Sequence, residues 1–143
     1  MSKNPFVGKW TYRSFLNEPV LNPDPKALLS SLMFGDGTIV IDDGPTELLT
    51  GTIGGDGWSL KLRGSRGYGS PSEVRFQGKG VIGGAEWIYA YVGWLVPAWP
   101  TSTDTLDRPA IVGSVVRVIP HPGSNGATNP AGVVASFYAV RAD

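Results

Sequence analysis

The chain has no cysteine. That absence excludes disulfides, thiol nucleophiles, zinc fingers and iron–sulfur clusters at once. It has one histidine, His121, so a multi-histidine metal site is excluded, and neither a metal nor another cofactor is expected. An excess of one charge is missing too. Twelve basic and twelve acidic residues (12 each) cancel to a net charge of zero, and no run of Lys or Arg occurs. The balance argues against a nucleic-acid partner. The longest strongly apolar stretch, Trp87 to Trp99, is too short to span a bilayer and is broken by Pro97. The N-terminal Met-Ser-Lys-Asn-Pro-Phe-Val-Gly has no apolar segment of signal-peptide length. A soluble, cytoplasmic protein without a membrane partner is expected. No helix-length periodic segment is present either.

What is present is many short apolar runs punctuated by 20 Gly and 12 Pro in 143 residues, 41% of them apolar. This is the composition of short strands and turns in one domain, residues 1–143. The runs number eight: Gly8–Leu16, Thr38–Asp42, Thr46–Ile53, Trp58–Arg63, Glu73–Val81, Ala85–Leu95, Ala110–Ile119 and Gly132–Arg141. Asp43-Gly44, Gly54 to Gly57 and Gly83-Gly84 read as turns. Gly64–Ser72, Val96–Arg108 and Pro120–Ala131 read as loops. Lys26 to Phe34, in the long connection between the first two runs, has the spacing of a two-turn helix capping one end. The expected fold is all-β: an eight-stranded antiparallel up-and-down barrel, which leaves no sheet edge exposed. A two-sheet sandwich of the same strands is the alternative.

The fourth and fifth runs alternate apolar with polar residues, as in Trp58, Leu60 and Leu62 against Ser59, Lys61 and Arg63. The last three do not. Trp87, Tyr89 and Tyr91 alternate with Ile88, Ala90, Val92 and Trp94, and both faces of the seventh and eighth runs are largely apolar as well. One face can fill a barrel. The other is then an apolar wall, which predicts a homodimer or homotetramer through strands 6 to 8 unless the long loops cover it.

Gly8-Lys9-Trp10 opens the first strand and Arg141 closes the last. These two ends meet only if the sheet closes on itself. The pattern resembles the calycin barrels, which include lipocalins and avidins and share a Gly-x-Trp on strand 1 with a basic residue over that Trp from the last strand. Leu49-Thr50-Gly51-Thr52-Ile53 is similar to the third strand of avidin and streptavidin. The resemblance implies a barrel and an oligomer. It does not carry biotin binding over, because Thr11, Tyr12, Arg13 and Ser14 do not reproduce the avidin set, and the tryptophans late in avidin chains have no counterparts here.

Strand 6 and its following loop gather Trp87, Tyr89, Tyr91, Trp94 and Trp99. Such side chains offer flat contact area, and each Tyr and Trp keeps one polar atom to orient a ligand. With Tyr12, Phe137 and Tyr138 they form the predicted wall for a small hydrophobic or aromatic ligand; core and subunit contact are the competing uses. His121, held between Pro120 and Pro122, is a candidate general acid or base or a surface loop residue. Arg13 and Arg117 lie among apolar strand residues. Facing inward, each needs an anion, with Glu47 and Glu86 as candidates. Asp104 and Asp107 lack metal-loop spacing, the Gly54–Gly57 stretch precedes no helix, and Ser114 and Ser136 sit in no nucleophile context. Three functions are compatible: a small-molecule-binding barrel; a cofactor-free cyclase, isomerase or lyase using His121, Tyr89, Tyr91, Arg13 and Glu86; and a structural oligomer.

Overall fold

The computed structural model describes residues 4–17, 24, 26, 32–45, 47–69, 71–99, 101, 103, 107–123 and 126–143. They contain β1 (Gly8–Phe15), β2 (Met33–Ile41), β3 (Leu48–Gly55), β4 (Trp58–Gly67), β5 (Glu73–Ile82), β6 (Ala85–Val96), β7 (Ala110–Arg117), β8 (His121–Pro122), β9 (Thr128–Asn129) and β10 (Val134–Arg141). Eight of these close into one barrel in the ring order β1-β10-β7-β6-β5-β4-β3-β2, with every neighbouring pair antiparallel. The strands therefore form a closed ring and not a sandwich, consistent with the calycin-like barrel expected.

Period-two alternation sorts the side chains. On β1, Trp10, Tyr12 and Ser14 point inward while Lys9, Thr11 and Arg13 are exposed. On β4 and β5, Leu60, Leu62, Val74 and Phe76 are buried, and the charged positions between them face out. On β6 the inward face carries Tyr89 and Tyr91. On the outward face, among the described residues, Trp94 is 43%, Val134 54% and Tyr138 42% exposed.

Register explains where the strands differ from the expected bounds. β2 starts at Met33, not Thr38, because Gly35 and Asp36 continue the ladder opposite Ser14 and Arg13, with a bulge carrying it on to Phe15 and Met33. Met33 and Phe34, expected to end a helix, are thus strand residues; positions 27–31 of that helix lie outside the described residues. β4 runs to Gly67, so the start of the expected 64–72 loop is strand. Gly64 sits there because a Cβ would come within 2.6 Å of the Phe76 Cβ, so this glycine marks close ladder packing. The expected tight Asp43-Gly44 hairpin is a longer connection over residues 42–47, whereas Gly83 and Gly84 do turn the β5–β6 hairpin, with φ of 59° and 82°. The expected 120–131 loop contains the ribbon β8–β9, pairing His121 with Asn129.

One barrel end is sealed. Trp10 and Phe6 are 0% exposed. Trp10 faces Arg141 across the β1–β10 seam, and the guanidinium lies 4.4 Å over its ring. Arg141 also donates to the carbonyls of Pro5 at 2.5 Å and Val7 at 3.1 Å, and the Trp10 indole N–H donates to Phe6 O at 3.0 Å. Above this seal the lumen is filled by aromatic rings. Tyr91 stacks on Phe76 at 4.7 Å and meets Phe137 edge-on at 5.7 Å and Tyr12 edge-on at 6.0 Å, each pair contributing about 0.5–1.5 kcal/mol. Gly93 makes room for Phe137, whose Cζ would lie 3.0 Å from an added Cβ. Among the described residues no helix is long and apolar enough to cross a membrane.

Candidate functional site

Filling stops before the other end. Above Tyr12 and Tyr91 the lumen opens into a cavity of about 320 Å³, at the lower end of the size range of small-molecule pockets. Its walls are aromatic: Phe34 from β2, Trp58 from β4, and Trp87 and Tyr89 from β6. Its floor is polar, made by the hydroxyls of Tyr12, Ser14 and Tyr91. Met33 and Asp36 stand on the rim. Period two aligns these groups, since Trp87, Tyr89 and Tyr91 share one face of β6 as Tyr12 and Ser14 share one face of β1.

The floor phenols are neutral donors. Burial pushes the Tyr12 phenol up to about 12, with the Ser14 and Tyr91 hydroxyls pulling in the other direction. Burial also pushes the Tyr91 phenol well above the ordinary phenol value, and its bond to Tyr12 adds to the rise. A ligand atom reaching the floor meets hydroxyls, with no buried charge.

Behind the Tyr89 wall lies a chain of directed hydrogen bonds. Tyr89 and Arg117 are cross-strand partners on β6 and β7, and the Arg117 Nε–H donates to the Tyr89 oxygen at 3.1 Å. The chain then turns at residues 118–120 and brings His121 back over the mouth. Its Nε2 is 2.5 Å from the Tyr89 hydroxyl and its Nδ1 is 2.9 Å from Pro122 O. A carbonyl only accepts, so in the neutral imidazole Nδ1 carries the proton, Nε2 accepts, and Tyr89 donates to it. The His121 ring stacks on Trp87 at 3.9 Å and 16°. Arg117 is held further by Pro130 O at 3.1 Å and by the Phe34 ring, 5.0 Å from its Cζ. His121 is 4%, Tyr89 8% and Arg117 8% exposed, so the chain is shielded from bulk water.

The site residues expected from sequence separate accordingly. Tyr12, Trp87, Tyr89 and Tyr91 line the cavity, and His121 joins them from behind. Phe137 packs beneath the floor against Tyr12 and Tyr91. Trp94 and Tyr138 face outward, and Trp99, 65% exposed, lies in the loop after β6 at the sealed end. Arg13 and Glu86 are exposed on the outer face, and Glu47 is exposed in the β2–β3 connection. The inward arginines are Arg117 and Arg66, each 8% exposed, and no carboxylate bonds either among the described residues. Phe34, Trp58, Ser14 and Asp36 were not among the site residues expected from sequence. Parity with Trp10 would have found Ser14, and parity with Leu60 would have found Trp58; Phe34 and Asp36 required the extended β2.

No family model, no curated protein and no solved structure matches the chain. The geometry of the site therefore carries the functional reading. A larger depression, about 440 Å³, lies on the outer face over Lys61, Arg63, Gln77 and Lys79. It is a sheet surface on which Lys61 and Lys79 oppose each other directly, and no aromatic side chain lines it.

Proposed function

We propose that this protein binds a small, flat, mostly apolar or aromatic molecule in the mouth of its barrel. The observation that carries this reading is the cavity of about 320 Å³ with aromatic walls and a hydroxyl floor, above a lumen otherwise filled by its own side chains. Desolvating a flat ligand between Phe34, Trp58 and Trp87 supplies affinity, and the hydroxyls of Tyr12, Tyr91 and Ser14 orient its polar atom. The lipocalin- and avidin-like pattern supports the reading as an analogy of architecture. The test is a titration with the neutral, flat fluorophore N-phenyl-1-naphthylamine. Its emission should rise on binding. Trp58→Ala should weaken binding by about ten-fold, roughly one buried-ring contact. Gly35→Phe, which places a ring in the cavity, should abolish it while circular dichroism shows the barrel intact. Binding unchanged in both variants would count against the mouth as the site.

We also infer that a second copy of the chain covers the apolar wall of β6, β7 and β10. Trp94 pairs with Val112 and Val112 with Tyr138, so the three strands present one continuous apolar row at the surface. Residues of this kind at the centre of a self-complementary patch suit an isologous dimer.

A further inference from the structure

We propose that Tyr89 and His121 form a proton relay that makes the mouth cavity an active site for reversible proton abstraction from a small, flat carbonyl compound with an acidic C–H. The inference rests on the binding reading above and goes beyond it.

The Tyr89 hydroxyl carries a single proton. Arg117 Nε can only donate, so it occupies one acceptor site on the Tyr89 oxygen whatever else happens. While His121 is neutral, the Tyr89 proton points at Nε2, and the second lone pair of the oxygen is left for the cavity. When His121 is protonated, Nε2 donates instead, and the Tyr89 proton must turn away toward the cavity. The same hydroxyl thus accepts a proton from a ligand in one state and donates one in the other. Acceptance alternating with donation is what a general base that later serves as general acid needs.

The surroundings act on the transfer. The Arg117 N–H bond offsets electron density that builds on the phenol oxygen as its proton leaves. The face of Trp87, 3.9 Å from the His121 ring, stabilises an imidazolium, and Pro122 O holds its Nδ1–H. The titratable and charged groups facing His121 and the cavity are Tyr89 and Arg117 from the barrel wall, Tyr12 and Tyr91 on the floor and Asp36 at the rim. Burial of all three relay members keeps water from short-circuiting the transfer.

The step balances without any further reactant. The substrate C–H proton passes to the Tyr89 oxygen as the Tyr89 proton passes to His121 Nε2. The C–H electron pair stays on the substrate as an enolate, whose oxygen reaches the floor hydroxyls of Tyr12 and Ser14. The imidazolium then returns a proton through Tyr89 to carbon, at the same or a neighbouring atom. Tyr89 is the catalytic residue; His121 and Arg117 act through it.

The probe is 2-tetralone, a flat aromatic ketone, and the readout is exchange of its α-protons in D₂O followed by NMR. The wild-type protein should accelerate exchange over buffer, with a rate that rises with pH. Tyr89→Phe and His121→Gln should lose about a hundred-fold of that acceleration. Binding, read by tryptophan quenching, should survive in Tyr89→Phe, and the pH dependence should flatten in His121→Gln. Binding without acceleration, or acceleration indifferent to Tyr89→Phe, overturns the relay and leaves the binding reading standing. Absence of 2-tetralone binding overturns the relay together with the apolar-ligand reading for this class. If both variants unfold by near-ultraviolet circular dichroism, the wild-type pH profile decides: a flat profile overturns the relay.

Discussion

Replacing Arg141 with methionine keeps an unbranched stem and removes the guanidinium. Four interactions disappear with it: the donations to Pro5 O and Val7 O, the cation over Trp10 at 4.4 Å, and a solvent-exposed ion pair with Asp143 at 3.3 Å that contributes little. Charged hydrogen bonds contribute about 1.5–3 kcal/mol each, and the two to carbonyls are only partly buried, so the lower figure applies to both. The cation–ring contact adds about 0.5–1 kcal/mol. Packing of the methionine against Trp10 returns part of the loss. The expected cost is about 3 kcal/mol, a fall in Tm of roughly 10–15 °C for a domain of this size. Urea denaturation should show a lower midpoint with an unchanged slope. Arg141→Lys, which keeps the charge but not the fork, should lose about half as much. Lys9→Met, at an exposed neighbour, should stay within about 0.5 kcal/mol of wild type. A double-mutant cycle with Trp10→Leu should give a coupling energy above roughly 0.5 kcal/mol. If Arg141→Met is as stable as Lys9→Met, or the cycle is additive, the two residues do not act as a closure and the reasoning fails.

The raised Tyr12 phenol gives a pH-dependent prediction. Its folded value of about 12 exceeds the ordinary phenol value of 10.0, so the folded state holds this proton more tightly than the unfolded chain. The stabilisation is full below pH 10 and is lost as pH rises from 10 to about 12, by roughly 3 kcal/mol. Chemical denaturation across that range should show a smaller loss in Tyr12→Phe, where the raised Tyr91 phenol still contributes, than in wild type; equal slopes refute it. The apolar outer wall predicts self-association. Light scattering at micromolar concentration should give at least a dimer, and Trp94→Lys should shift it to monomer without changing the circular dichroism. A monomeric wild-type mass removes the second copy from the account.

Much of the barrel was legible because alternation carries it. The runs at Trp58 and Glu73 have one apolar face each, and that face is the lumen. Trp10 and Arg141 announced closure because their chemistries are complementary across the seam. Where both faces are apolar, as on β6, alternation cannot choose, and the choice falls to partners distant in sequence such as Phe137 and Phe76. Arg13 illustrates a signal that was present and unused: it shares parity with Lys9 and Thr11, so with Trp10 inside it must face out. Arg117 shares parity with Ile111 and Val115, so it faces in. The relay was out of reach. His121 meets Tyr89 only because the chain reverses after β7 and pairs His121 with Asn129, a ribbon of two residues per strand with no propensity pattern to reveal it. The cavity was equally hidden, since it depends on Phe34 entering β2 through a bulge that glycine-rich sequence conceals.

The seal at Trp10 and Arg141 also gives the molecule a handle. Both the first and the last strand of the ring reach the surface at that end, while the mouth faces the opposite direction. A bead, dye or fused partner attached ahead of Gly8 in β1 or after Arg141 in β10 joins the barrel at the sealed end and leaves the aperture facing free solution. The same attachment at Asp56, in the β3–β4 turn, would sit at the rim and obstruct entry. Immobilised by its ends, the barrel is oriented for capture at a surface without further engineering.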